Sequence, residues 1–359
     1  MGQFKSTLLL KKGVSFFVFL FIMFTGNAFA EYDAVVAFGD SLTDHGGLQH
    51  YLGAYDPFEN PNGVRAVWSN GDTWVEYFAD ELDATLDNNA IAGAMTDGHE
   101  NEGIQALSDA DQLPDLGLIG QVATYIDSDP TFIPSTTLFT IWIGGNDLLE
   151  FAREESYTAD AVVLISGAMT NIQTAITNLR SNGAVNFLIL NLPDLGSTPY
   201  FNTLSANEKA AATAISNSYN AALSNLVTSL RANMTGITIH YFDVFSYMNT
   251  MIDDEVFANV TDTYMTLDED GDYTGAVNGD AEDYLFWDLI HPTTRAHEYV
   301  GIEVADSVLA EEAEEDDSTC FISTVGNQAA NPINANILSL FGLMFIMVGT
   351  GFSIRKNKR

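Results

Sequence analysis

Short apolar, β-branched runs alternate with longer segments of helical spacing from Glu31 to Leu309. The runs Ala34–Phe38, Thr137–Ile143, Val185–Leu190 and Ile237–Phe242 are almost continuously apolar. That pattern suits strands buried on both faces of a parallel sheet rather than strands with one wet face. Helices are predicted over Asp72–Leu82, which has a polar start, and over Ala159–Arg180 and Ser205–Ala232, which are Ala-rich and proline-free. A last helix is predicted over Thr293–Leu309, with Thr293 or Thr294 as its cap. Strands alternating with helices predict a parallel sheet covered on both faces, with ligands held beyond the carboxyl ends of the strands. Long loops are expected at Leu48–Trp68, Thr96–Leu116 and Met248–Tyr284.

The two ends break this alternation. Lys5, Lys11 and Lys12 precede the apolar run Val14 to Phe24, and Ala28 and Ala30 fit the small-residue pattern of a secretory cleavage site. Residues 1–30 therefore read as a signal peptide, and an uncleaved anchor is the other reading. Residues 31–310 form the body and 311–336 an acidic, then polar, linker. Residues 337–354 form an apolar run near the lower limit for a membrane-spanning helix, and the basic tail 355–359 would stay cytoplasmic. Short polar motif, apolar helix and basic terminus together resemble a bacterial sorting signal of the PEP-CTERM type. Asn331-Pro332-Ile333 stands where that family has Pro-Glu-Pro, and a plain stop-transfer anchor reads as well. The expected location is outside the bacterial membrane, either anchored or released after processing, with membrane or sorting machinery as a partner of the helix.

Composition narrows the partners. Hydrophobic residues make up 47% of the chain, enough for a globular core. The formal net charge of −36 repels a phosphate backbone, so nucleic acid is excluded as a partner. The single cysteine, Cys320, rules out an intrachain disulfide and a zinc site built on several thiolates.

Chemistry enters where the first strand runs into Gly39-Asp40-Ser41-Leu42-Thr43-Asp44. A serine at the carboxyl end of a central strand sits where an exposed nucleophile belongs. Thr43 replaces the second glycine of the G-x-S-x-G elbow, so this is a different turn. Alone, the hexapeptide reads equally as a strand-to-loop turn with Asp40 and Ser41 as caps. Asp288-Leu289-Ile290-His291-Pro292 supplies the missing partners. A serine hydroxyl needs a base, histidine serves near neutral pH, and a carboxylate holds the histidine in one tautomer. Pro292 suits the first position of the helix that follows. Two further segments could face a developing oxyanion. Gly144-Gly145-Asn146-Asp147 ends the second strand and offers the Asn146 amide. Asn88-Asn89-Ala90-Ile91-Ala92-Gly93-Ala94 offers the Gly93 N–H. Each also reads as an ordinary turn of small residues.

Taken together these blocks resemble the GDSL/SGNH hydrolases. Gly39-Asp40-Ser41-Leu42 is similar to that family's first block, Gly93 falls at its second, Gly144-Gly145-Asn146-Asp147 matches G-x-N-D, and Asp288 to His291 matches D-x-x-H. The segment Tyr284 to Asp288, with Pro292-Thr293-Thr294 and His297 after it, is closer to the long lipase-like members. Ala92 departs from many of those members, which carry another glycine there. The resemblance implies a three-layer α/β/α sandwich around a central parallel sheet, of flavodoxin-like build. It implies ester hydrolysis without a cofactor, on a lipid or small acyl ester. By carry-over Ser41 is the nucleophile, His291 the base and Asp288 its orienting acid, while Ser41, Gly93 and Asn146 form the oxyanion hole. An acyltransferase or a polysaccharide O-deacetylase would use the same residues. A non-catalytic surface-displayed binding module is the reading of another class, weakened because such a module would be expected to lose one of the five.

The acidic loop Asp268-Glu269-Asp270-Gly271-Asp272 resembles the start of a calcium loop. Tyr273 and Gly279 replace that loop's required glycine and glutamate, so a solvated loop is the favoured reading and no metal is expected.

Overall fold

The computed structural model describes residues 32–48, 68–98, 115–153, 161–268 and 273–322. The expected signal peptide, the loop 49–67, most of the loop 96–116, the acidic tip 269–272 and the apolar run 337–354 lie outside these residues. Compact contacts divide the chain into a unit ending at Glu315 and a unit Asp316–Arg359. Only the start of the second unit, within a helix, is described.

The first unit is built on a five-stranded parallel sheet: β1 (Ala34–Gly39), β2 (Thr85–Asn88), β3 (Thr137–Trp142), β4 (Asn186–Leu190) and β5 (Thr238–Phe242), in the order β2-β1-β3-β4-β5. This flavodoxin-like order reverses direction between β1 and β3, so their carboxyl ends open a crevice. Four strands fall on the predicted apolar runs, and every residue of β3 and β4 is buried. β2 was not legible as a strand. Thr-Leu-Asp-Asn lies at the sheet edge with alternate residues exposed, and an edge strand needs no continuous apolar run.

The helices are α1 (Trp74–Glu81), α2 (Leu118–Asp127), α3 (Gly145–Arg153), α4 (Ala161–Ser181), α5 (Pro199–Asn202), α6 (Ala206–Asn233), α7 (Val244–Asp253) and α8 (Thr294–Ile322). The ends of α1 and α6 follow from their caps. Thr73 and Ser205 each form a capping box with the glutamate three residues on, Glu76 and Glu208. α7 and the small strands β6 (Asn259–Thr263), β7 (Met265–Leu267), β8 (Tyr273–Val277) and β9 (Tyr284–Phe286) occupy the segment expected to be one long loop. The short strands pair as β6 with β9 and β7 with β8, and were too short to give a periodic signal. Among the described residues no helix is long and apolar enough to cross a membrane.

Candidate active site

Ser41 follows β1 after a single residue, Asp40, whose carboxylate accepts the Leu42 N–H at 3.0 Å and fixes the turn. β3 ends level with β1, Trp142 beside Gly39, and runs into the Gly144-Gly145 turn that opens α3. Gly144 has φ of 111°, and a Cβ there would lie 2.2 Å from the Tyr219 hydroxyl, so both the backbone and the space demand glycine. The Tyr219 hydroxyl, reaching from α6, donates to the Ile143 carbonyl at 2.9 Å and pins the turn.

The loop carrying Asp288 and His291 is anchored on three sides. The Trp287 N–H donates to the His291 carbonyl at 2.8 Å, and the Met265 N–H to the Trp287 carbonyl at 2.8 Å. The Ser69 hydroxyl donates to the Pro292 carbonyl at 3.0 Å. Thr293 caps α8, accepting the Ala296 N–H at 3.3 Å. The expectation that Pro292 opens the helix is therefore corrected. Pro292 precedes the cap, and its carbonyl and its bridge to Phe286 hold the loop instead.

This scaffold brings Ser41, His291 and Asp288 into one chain of contacts. His291 Nε2 lies 2.8 Å from Ser41 Oγ, and His291 Nδ1 lies 2.7 Å from Asp288 Oδ2. A carboxylate only accepts, so Nδ1 is the donor and Nε2 is left to accept from the serine. Asp288 Oδ1 accepts the Ile290 N–H at 2.8 Å and the His291 N–H at 2.7 Å, which turns the carboxylate toward the imidazole.

The second and third blocks are tied to the first. Gly93, with φ of 79°, occupies the third position of a turn closed by Ala94 N–H to the Ile91 carbonyl at 3.1 Å. Asp44 accepts the Ala92 N–H at 2.7 Å, and the Asn146 side-chain amide donates to the Ala94 carbonyl at 3.0 Å. The Gly93 turn is thus held from both sides, by Asp44 after β1 and by Asn146 after β3. Asp147 accepts the Thr96 N–H and hydroxyl at 3.0 and 2.6 Å and extends the same clamp.

Sequence reasoning missed several of these residues. Trp68 lies tilted over the His291 imidazole with ring centroids 5.2 Å apart, and Trp287 flanks the same ring at 6.5 Å. Trp68 ends a long loop and carried no positional signal. Trp287 lay in the Tyr284 to Asp288 segment that carries the family resemblance, but no role was read for it. The site opens into a cleft lined by Ser41, His291, Asn146 and mostly apolar side chains. Among the described residues no group of three or more His, Cys, Asp or Glu side chains converges as metal ligands.

The buried acids beneath the site have a consequence for stability. Burial pushes Asp40 up to about 7, against the pull of the Leu42 N–H and His291. Burial likewise pushes Asp44 and Asp147 to about 6, against the N–H groups they accept. These groups keep protons in the fold that the unfolded chain, near 3.8, has released. Their stabilisation is full below pH 4 and is lost as pH rises through 6 to 7. Burial of His297 acts the other way. It depresses the imidazole to about 3, so its contribution is full above 6.5 and declines on acidification. Three acids outweigh one histidine, so Tm is expected to be several degrees higher at pH 5.5 than at pH 8. Calorimetry showing an equal or lower Tm at pH 5.5 would reject this balance.

Sheet order and flanking helices make the body a three-layer α/β/α protein. The chain belongs to the GDSL-like lipase/acylhydrolase family, whose model matches residues 35–304. It is 28% identical over 286 residues to a thermolabile hemolysin of Vibrio parahaemolyticus, covering 76% of this chain and 63% of that protein. It is 27% identical over 237 residues to a phosphatidylcholine-sterol acyltransferase of Aeromonas hydrophila, covering 65% and 64%. An acetylesterase of Hypocrea jecorina is 29% identical over 197 residues, covering 49% and 52%. The chain thus spans less than two thirds of the length of these curated relatives.

Proposed function

We propose that the protein is an exported serine hydrolase that cleaves carboxylic esters through an acyl-Ser41 intermediate. The observation that carries this reading is the unbroken contact chain Ser41 Oγ, His291 Nε2, His291 Nδ1, Asp288 Oδ2, at 2.8 and 2.7 Å, on the wall of an open cleft. Ser41 Oγ attacks the ester carbonyl carbon as its proton passes to His291 Nε2. The oxyanion is held by the N–H groups of Ser41 and Gly93 and by the Asn146 amide. Neither backbone N–H donates to another group among the described residues, which supports their assignment. Collapse breaks the C–O bond, and the departing alkoxide takes the proton from His291. Water then repeats the sequence on the acyl-enzyme, with His291 again as base, and releases the acid and Ser41. Asp288 accepts from Nδ1 throughout and steadies the imidazolium.

Transfer of the acyl group to an alcohol in place of water is the second reading, supported by the relative named as an acyltransferase. Export, and retention by the apolar run 337–354, are supported by the patterns at the two ends of the sequence.

The test is hydrolysis of p-nitrophenyl esters together with labelling by an alkyl organophosphonate. Hydrolysis is expected, with one phosphonyl adduct on the peptide holding Ser41. An adduct elsewhere would take the nucleophile's role from Ser41, and a folded protein that neither hydrolyses nor transfers any acyl group would leave a binding module.

A further inference from the structure

The cleft beside Ser41 has a direction. Ser41 follows β1, Leu149 lies in α3 after β3, Leu192 follows β4, and Met248 and Ile252 lie in α7 after β5. The cleft therefore crosses the carboxyl edge of the sheet from β1 toward β5. Three strand spacings make that path about 14 Å long. Its far wall is one face of α7, where Met248 and Ile252 are four residues apart and so lie one above the other. β5 is the edge strand, so no further strand extends the path beyond α7.

The walls would favour an alkyl chain over a sugar. Leu149, Leu192 and Met248 are almost fully buried apolar side chains. Among the polar lining residues, Asp194, Ser197 and Thr198 hold their own turn, while Asn249 stands beside Met248 on α7. Asp194 accepts the Gly196 N–H at 2.9 Å and the Ser197 hydroxyl at 3.0 Å, and the Thr198 hydroxyl donates to the Leu195 carbonyl at 2.8 Å. Sugar hydroxyls set against Leu149, Leu192, Met248 and Ile252 would lose water to apolar side chains, at a cost that disfavours them there. Methylenes entering here would leave water for apolar contact.

We infer that this cleft is an acyl-chain channel suited to medium-length acyl esters, with Met248 and Ile252 as the stop that sets chain length. The inference rests on the ester-hydrolase reading and adds the acyl class to it. Each methylene that fits is expected to raise kcat/KM by up to about fourfold, the rate equivalent of ~0.8 kcal/mol. The gain ends where the chain meets α7.

The full chain is assayed on p-nitrophenyl acetate, butyrate, octanoate and palmitate, beside Met248→Trp, Ile252→Trp and Met248→Ala. The parent is expected to prefer octanoate to acetate and to palmitate. Each tryptophan variant should lower the octanoate-to-acetate ratio of kcat/KM at least tenfold, and Met248→Ala should move the optimum toward palmitate. The ratio is read on one preparation, so a partly misfolded variant cannot imitate the result. A parent that prefers acetate, or a ratio that neither tryptophan variant changes, overturns the channel while leaving the hydrolase standing. Calorimetric titration of Ser41→Ala with 1-octanol separates the two claims. Binding weakened tenfold by Met248→Trp supports the channel even in a protein that hydrolyses nothing, and equal binding by both proteins counts against it.

Discussion

Asp288→Asn is expected to lower kcat on any ester the protein hydrolyses by about 10^4-fold while leaving the fold intact. The geometry gives the reason. Asp288 Oδ1 accepts the Ile290 and His291 N–H groups, and an asparagine oxygen can keep both contacts. The side-chain NH2 then stands where Oδ2 was, 2.7 Å from His291 Nδ1. It must donate, so Nδ1 becomes the acceptor and the ring proton moves to Nε2. Nε2, 2.8 Å from Ser41 Oγ, can no longer take the serine proton. Asp288→Ala makes a useful contrast, because it also strips two backbone N–H groups of their acceptor and should lower Tm. The test is steady-state kinetics beside thermal melting. An Asp288→Asn protein within tenfold of the parent would remove Asp288 from the mechanism. An Asp288→Asn protein that melts as early as Asp288→Ala would place its role in the loop.

The distinction between catalytic and supporting roles also explains what the sequence made legible. Four sheet strands were readable because β1, β3 and β4 are buried along almost their whole length and β5, although at an edge, still buries Ile239 and Phe242, so each carries a run of large apolar residues. β2, with Asp87 and Asn88 at the sheet edge, had no such constraint. Ser41, Gly93, Asn146, Asp288 and His291 were readable because each sits in a short local motif at a strand end or helix entry. The residues that join those motifs were not. Asp44 reaches Ala92 across 48 positions of sequence, Asn146 reaches Ala94 across 52, and Trp68 covers a ring 223 residues away, beside the tie of Ser69 to Pro292. Such contacts exist only once the sheet order has brought β1, β2 and β3 together, and no periodicity reports them. The same holds for the acyl channel. Met248 and Ile252 fell in a segment expected to be loop, and Leu149 and Leu192 carried no signal of their own until the parallel sheet aligned the segments that follow β3, β4 and β5. Pro292 failed for a smaller reason, since a proline one residue before a threonine can sit at either side of the cap.

Ser41→Ala is expected to produce the largest loss, on the order of 10^6-fold in kcat, by analogy with nucleophile removal in a serine protease. The instructive quantity is its combination with His291→Ala. If the serine is reactive only because His291 takes its proton, then once the hydroxyl is gone the imidazole has nothing to activate. The double variant should then be no slower than Ser41→Ala within a few fold, although the two single losses multiplied would predict a far greater defect. The residual rate above water would come from the Ser41 and Gly93 N–H groups and the Asn146 amide, which alanine at position 41 leaves in place. Ser41→Ala deletes one hydroxyl and adds no bulk, so Tm should shift by no more than a few degrees. Losses that multiply would mean the serine and histidine act independently. The contacts at 2.8 and 2.7 Å would then hold the loop to the strand end and carry no proton. Losses that saturate would make the three side chains one machine, and the choice between water and an alcohol as acyl acceptor would fall to the groups around it.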